Sequence, residues 1–232
     1  MLLPRVQLSV RKLFDQIIDD WFGIIIHRPE VELKGFAPSI GCPWCGCTLD
    51  PMGCECGQKR IHWARLIRLG IYEPPLSSCI VQGKYLAWDV ILTHLGKMLG
   101  KQIKGRVPPD SIMTPIPMPF VRKLFRRINH AQVISVAASK QAGLQHRKVL
   151  WRRDGIPQAG QTASQRLRLS RNSMSIRPLS RVKGKNIILV DDVMTTGKTL
   201  EIAANKLKEA GVLSVRVAVL AVTEKPRKGH KM

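Results

Sequence analysis

Hydrophobic positions change their period along this chain, and the changes mark its elements. Residues 10–26 place Leu13, Ile17, Ile18, Trp21 and Phe22 on one side of a weak helical pattern. Residues 85–103 carry Leu86, Val90, Ile91, Leu95 and Leu99 at helical spacing. Residues 111–117 read as a strand ending in proline-rich chain. Asn129 suits the N-cap of a helix that runs to Ala142, with Gly143 as its stop. The run Ile187-Ile188-Leu189-Val190 is short and β-branched, as in a parallel strand buried on both faces. Leu200, Ala203, Ala204 and Leu207 then repeat at helical spacing up to Gly211, and residues 214–222 return to a strand. Strand and helix alternate from residue 71 onward, which predicts an α/β domain. Its sheet should be parallel with right-handed crossovers, and ligands should bind at the strands' C-terminal ends. Residues 144–185 are rich in Arg, Gln and Ser and poor in apolar period, so they read as one long functional loop. Two parts are expected, residues 1–66 with the N-terminal helix and a cysteine cluster, and residues 67–232 with the α/β domain.

Charge adds a second constraint. The 232 residues carry a formal net charge of +22. Basic clusters fall at 122–127, 147–153, 166–171, 181–185 and 225–231. Such a field concentrates polyanions, nucleic acid among them. Aromatic residues are sparse, and no recognisable base-stacking motif interleaves the cations. No segment has the uninterrupted apolar length of a membrane span, and the first residues lack a signal-like apolar core. A cytoplasmic protein without membrane insertion is expected.

Five of the six cysteines fall between Cys42 and Cys56. A Cys-x-x-Cys followed after a short Pro/Gly loop by Cys-x-Cys can bring four thiolates onto one tetrahedral metal. Zinc suits soft ligands and a segment too small to hold its own core. Cys42, Cys45, Cys54 and Cys56 are the expected set, with Cys47 or His62 able to replace one of them. The competing reading takes Cys42-Pro-Trp-Cys45 as a thioredoxin-like dithiol, but that motif belongs between a strand and a helix, and here turn residues and further thiols surround it. Cys79, alone in an apolar stretch, reads as a small buried hydrophobe.

The segment after the 187–190 strand carries the most specific chemistry. Asp191 and Asp192 are followed at once by Thr195-Thr196-Gly197-Lys198-Thr199 and a helix. Loop amides at a helix N-terminus favour an anion, while the carboxylates can accept hydrogen bonds from sugar hydroxyls. A phosphate beside a diol is ribose 5-phosphate. Gly197-Lys198-Thr199 does not make a nucleotide P-loop, because Asp192 occupies the position where that motif needs a glycine.

Apolar strand, acid pair and Thr-Thr-Gly-Lys-Thr loop together closely resemble phosphoribosyltransferases of the type I fold. That resemblance implies binding of 5-phosphoribosyl 1-pyrophosphate (PRPP) with Mg²⁺ held mainly by pyrophosphate, ribose hydroxyls and water. Further segments resemble the ComF family, phosphoribosyltransferase-like proteins associated with bacterial DNA uptake. These are the cysteine cluster, Tyr72-Glu-Pro-Pro-Leu76, Lys84-Tyr85, Pro115-Ile-Pro117, Arg126-Arg127-Ile128-Asn129-His130, Pro157-Gln158 and Gln165-Arg166. Arg127 stands where the family has glycine, Gln165 where it usually has Glu, and Leu169 where an Asn is expected.

The resemblance implies that Asp191 and Asp192 serve the ribose and the developing positive charge, and that Thr195, Thr196, Gly197, Lys198 and Thr199 hold the 5-phosphate. Lys84 and Arg126 would face the pyrophosphate. Three functions fit what the resemblance implies: a DNA-uptake factor binding PRPP and single-stranded DNA, with a helicase-like competence protein as partner; a phosphoribosyltransferase of unknown acceptor; or a PRPP-responsive regulator.

Overall fold

A computed structural model describes residues 41–47, 54, 56, 62–85, 89–118, 128–152 and 173–224. The helix expected over residues 10–26 lies outside the described residues. The described elements, in chain order, are β1 (Arg65–Ile71), α1 (Leu76–Tyr85), α2 (Asp89–Ile103), β2 (Ile112–Pro115), α3 (His130–Ala142), β3 (Gln145–His146), β4 (Leu150–Arg152), β5 (Met174–Ile176), β6 (Asn186–Met194), α4 (Lys198–Glu209) and β7 (Ser214–Val222).

Five strands form one parallel sheet in the order β1-β7-β6-β2-β3, and β4 pairs with β5 in a separate antiparallel ribbon. Strand alternation explains the layers. Ile188 and Val190 of β6 pack with α1, α2 and α3 on one face, while Ile187 and Leu189 pack with α4 on the other. All four are fully buried. Each such side chain contributes roughly 1.5–3 kcal/mol relative to exposure, so β6 anchors both cores at once. The expected parallel sheet flanked by helices is the fold.

Several boundaries differ from expectation. The strand expected over residues 187–190 continues to Met194, because Asp191, Val193 and Met194 still pair with Val219, Ala221 and Val222 of β7. Asp191 and Asp192 therefore lie on a strand, and the turn starts at Thr195. The helix expected from residue 85 begins at Asp89 and is preceded by a second helix, α1. The 144–185 loop contains β3, β4 and β5, whose two or three residues each are too short to show a period. Asn129 caps α3 as expected, accepting from the Gln132 amide, and Gly143 ends it at φ 72°.

The order of connections creates a crevice. β2 leads through α3 to β3 on one side, and β6 leads through α4 to β7 on the other. Ligands of open α/β sheets settle at such a switch point, beyond the strands' carboxyl ends. Here it lies between β2 and β6, where Ile116 donates to the Val190 carbonyl at 2.8 Å.

Helices α2 and α3 approach closely because α2 presents Gly96 and Gly100. A Cβ at Gly100 would come within 2.5 Å of the Ala138 carbonyl oxygen and 2.7 Å of Gln141 Cβ. Since the obstacle is largely backbone, Gly100→Val should destabilise the fold by at least about 2 kcal/mol. A thermal midpoint unchanged by this substitution would contradict the packing.

Candidate functional site

The carboxyl end of β6 brings the acid pair to the crevice rim. Asp191 and Asp192 are half-buried, whereas the four residues before them are fully buried. Asp191 Oδ1 accepts from the Asp192 amide at 2.9 Å, and Asp192 Oδ1 accepts from the Val193 amide at 2.6 Å. These bonds fix the orientation of both carboxyl groups, each of which can accept more than one hydrogen bond.

Thr195 and Thr196 are exposed, and Gly197 turns the chain at φ 71° to start α4. That left-handed value is costly for a residue with a Cβ. Thr196 Oγ1 accepts from the Lys198 amide at 3.4 Å. Lys198 and Thr199 sit in the first turn of α4, whose amides point out of the helix end and favour an anion. Lys198 Nζ lies 3.0 Å from Glu201 Oε2 on the exposed side. Such a pair contributes about 0–1 kcal/mol and yields readily to a stronger anion. Carboxylates and anion-seeking amides thus meet within a few residues, as a phosphate ester bearing hydroxyls requires.

Lys84 lies in the last turn of α1. Arg126 falls outside the described residues.

The thiols of Cys42, Cys45, Cys54 and Cys56 come together, with all four sulfurs within 4.8 Å of one another. Cys42–Cys56 and Cys45–Cys54 separations are 3.7 and 3.4 Å. Four sulfurs about 2.3 Å from a tetrahedral zinc would be roughly 3.8 Å apart, so the donor set suits such an ion. These four cysteines can hold a metal. Cys47 Sγ lies 3.0 Å from Cys54 and 3.2 Å from Cys45, beside the set rather than within it. His62 Nε2 sits 3.5 Å from Glu201 Oε1 on α4.

Burial raises the Cys54 thiol, but hydrogen bonds from Cys47 and the neighbouring groups outweigh it and leave the pKa at about 7. Burial pushes Cys47 up to about 11. Cys79 is buried in the core as expected, with its thiol raised to about 11 by desolvation.

Sequence reasoning missed the residues that join the two sites. Trp63 Nε1 donates to the Trp44 carbonyl at 2.7 Å, between the first two cysteines of the cluster. A Cβ at Gly197 would lie 3.5 Å from the same indole ring and from Met194 Sδ. The Leu66 amide donates to Pro43 O at 2.6 Å, and Gly46 approaches Leu66 and Val222 so closely that a Cβ would meet them at 2.7 and 2.8 Å. Arg68 of the edge strand β1 is buried, with its guanidinium against Gly41. Burial lowers its pKa, while Glu224, Cys47 and Cys45 favour the charged form. Only tertiary contact reveals these partners; nothing in the spacing of Trp63 or Arg68 signals them.

Metal content distinguishes the four expected ligands from the thiol beside them. Cys47→Ser should retain about one metal ion per chain, and Cys54→Ser should lose it together with thermal stability. The reverse pattern would move the ligand set onto Cys47.

Residues 115–231 match the family described as "Phosphoribosyl transferase domain", from the end of β2 through β7. The chain is 30% identical over 196 residues to the DNA utilization protein YhgH of Escherichia coli O157:H7, covering 78% of this chain and 84% of the relative. It is 27% identical over 192 residues to Competence protein F of Haemophilus influenzae, covering 78% and 83%. Among solved structures, the glutamine PRPP amidotransferase of B. subtilis, complexed with ADP and GMP, is similar at 21% identity and TM-score 0.41. That similarity covers 55% of this chain and a quarter, 25%, of the amidotransferase chain. With the acid pair on β6, the cysteine cluster against β1 and these relatives, the chain belongs to the ComF family of phosphoribosyltransferase-domain proteins.

Proposed function

We propose that this protein binds PRPP with Mg²⁺ at the carboxyl end of β6 and acts on DNA during its uptake or use. The observation supporting the ligand is the meeting of Asp191 and Asp192 with the Gly197 turn at the crevice between β2 and β6. Asp191 and Asp192 accept the ribose hydroxyls and place negative charge beside C1. Thr195, Thr196, Gly197, Lys198 and Thr199 receive the 5-phosphate through amides and hydroxyls. Mg²⁺ is a hard cation that suits pyrophosphate, hydroxyl and water oxygens near these carboxylates, and it offsets pyrophosphate charge. Lys84 and Arg126 serve the pyrophosphate side.

Where chemistry follows, pyrophosphate leaves C1 and an acceptor attacks it. The two carboxylates then stabilise the oxocarbenium-like transition state. The cysteine cluster holds a structural Zn²⁺, chosen by its soft all-thiol donor set. The DNA role follows the names of the relatives, DNA utilization protein and Competence protein F, and agrees with the net charge of +22. A helicase-like competence protein is the expected partner in that process.

Calorimetric titration with PRPP and Mg²⁺ tests the site. The wild type should bind, and Asp191→Asn with Asp192→Asn in one chain should bind at least a hundredfold more weakly. Two hydrogen bonds to charged groups, at about 1.5–3 kcal/mol each, correspond to that loss or more. Equal affinity in the two proteins would overturn the assignment. Pyrophosphate release that requires a particular base or amine would identify a transferase. PRPP binding without turnover, combined with salt-dependent DNA affinity, would identify the uptake factor.

A further inference from the structure

Two consecutive residues, His62 and Trp63, reach the start of α4. His62 Nε2 sits 3.5 Å from Glu201 Oε1, and Glu201 Oε2 lies 3.0 Å from Lys198 Nζ. Both pairs are partly exposed, and such pairs hold little. Trp63 differs because it is buried. An indole N–H can only donate, so burying it calls for an acceptor. Trp63 Nε1 finds one in the Trp44 carbonyl at 2.7 Å. The far edge of the same ring, Cη2, borders the space beside Gly197. A Cβ there would stand 3.5 Å from Cη2 and 3.5 Å from Met194 Sδ.

Each end of this bridge has its own cause. The Trp44 carbonyl belongs to the planar peptide that continues into Cys45, one of the four thiols that gather. The carbonyl before it, that of Pro43, accepts from the Leu66 amide at 2.6 Å, and the Gly46 amide donates to the Cys42 carbonyl at 2.9 Å. With the turn pinned at those points, the position of Cys45 decides where the Trp44 carbonyl points. At the other end, Met194 is held by pairing with Val222 and by the Thr223 amide, which donates to its carbonyl at 2.9 Å. Gly197 has no such anchor. It stands at φ 71° and gives α4 no side-chain cap, so the turn takes its support from the Trp63 ring and the Met194 thioether beside it.

We propose that Trp63 is a positioning residue for the Gly197 loop, through which closure of the four thiols on a metal sets the loop's geometry and its affinity for a phosphate ester. The identity of that ester rests on the PRPP reading above; the link between turn and loop does not.

Hydrogen–deuterium exchange on the full chain separates the link from the ligand. Removing zinc from the wild type with a chelator should speed exchange at residues 196–200 by roughly two- to tenfold, the worth of one neutral hydrogen bond. Residues 187–190, fully buried in β6, should exchange as before and report an intact fold. Trp63→Leu with zinc bound should speed the loop by a similar factor, and chelation should then add little, because the two changes break one connection. Trp63→Phe keeps a ring without the donor and should show a weakened response to zinc. PRPP affinity should follow the loop, falling by a similar factor on chelation in the wild type and hardly at all in Trp63→Leu. A loop indifferent to zinc, or one that responds to zinc as strongly in Trp63→Leu as in the wild type, would overturn the positioning role. Should Trp63→Leu fail to fold, a full wild-type response in Trp63→Phe would overturn it equally. Faster exchange at residues 187–190 on chelation would also overturn it, since the metal would then hold up the whole domain. A zinc response carried by Trp63 in a chain that binds no PRPP would support the link and overturn the ligand reading.

Discussion

The molecule depends on the burial of β6 between two parallel neighbours. Ile187, Ile188, Leu189 and Val190 alternate between two helical layers, so the strand cannot slip by one residue without exchanging its faces. That fixed register decides where the strand reaches the rim. Asp191 and Asp192 emerge as the sheet ends, their carboxyl groups held by the next amides along the chain. Gly197 then reverses direction, and α4 starts with its amide end toward the crevice. Acidic and anion-attracting groups would repel a simple ligand of either kind. For a phosphorylated sugar they divide the work.

The cysteine cluster is built against Leu66 of β1 and Val222 of β7. Its turn is too short to bury a core of its own, and the four thiols drawn together there can hold a metal that would supply the missing cohesion. Trp63 fills the space between that turn and Gly197, bonded to one and packed under the other. His62 reaches Glu201 on α4 from the adjacent position. Leu66 extends the contact into β1 through the Pro43 carbonyl. The cysteine turn and the Gly197 loop therefore share a wall, and a change in one meets the other across a single indole.

Much of this could be read in the amino-acid order, because buried parallel strands and capped helices leave strong patterns. Ile187–Val190, Asn129 and Gly143 did so, and the cysteine spacing anticipated the four sulfurs that gather. Other features leave weak patterns. Arg68 interrupts the apolar run of β1, since its charge is accommodated by Glu224 and the cysteine turn rather than by solvent. The Asp pair ends the apolar pattern of β6 before pairing ends, so the strand is longer than its hydrophobicity. β3 exists because β2 pairs with it, and β4 and β5 because Thr114 and the α4 face receive them.

Hydrogen–deuterium exchange of the zinc-loaded protein, with and without PRPP and Mg²⁺, tests the central claim most directly. If the end of β6 and the start of α4 form the ribose-phosphate site, added PRPP should slow exchange at residues 192–200 more than anywhere else in the α/β domain. Protection that spares this stretch, or that appears only on the β4–β5 ribbon, would contradict the account.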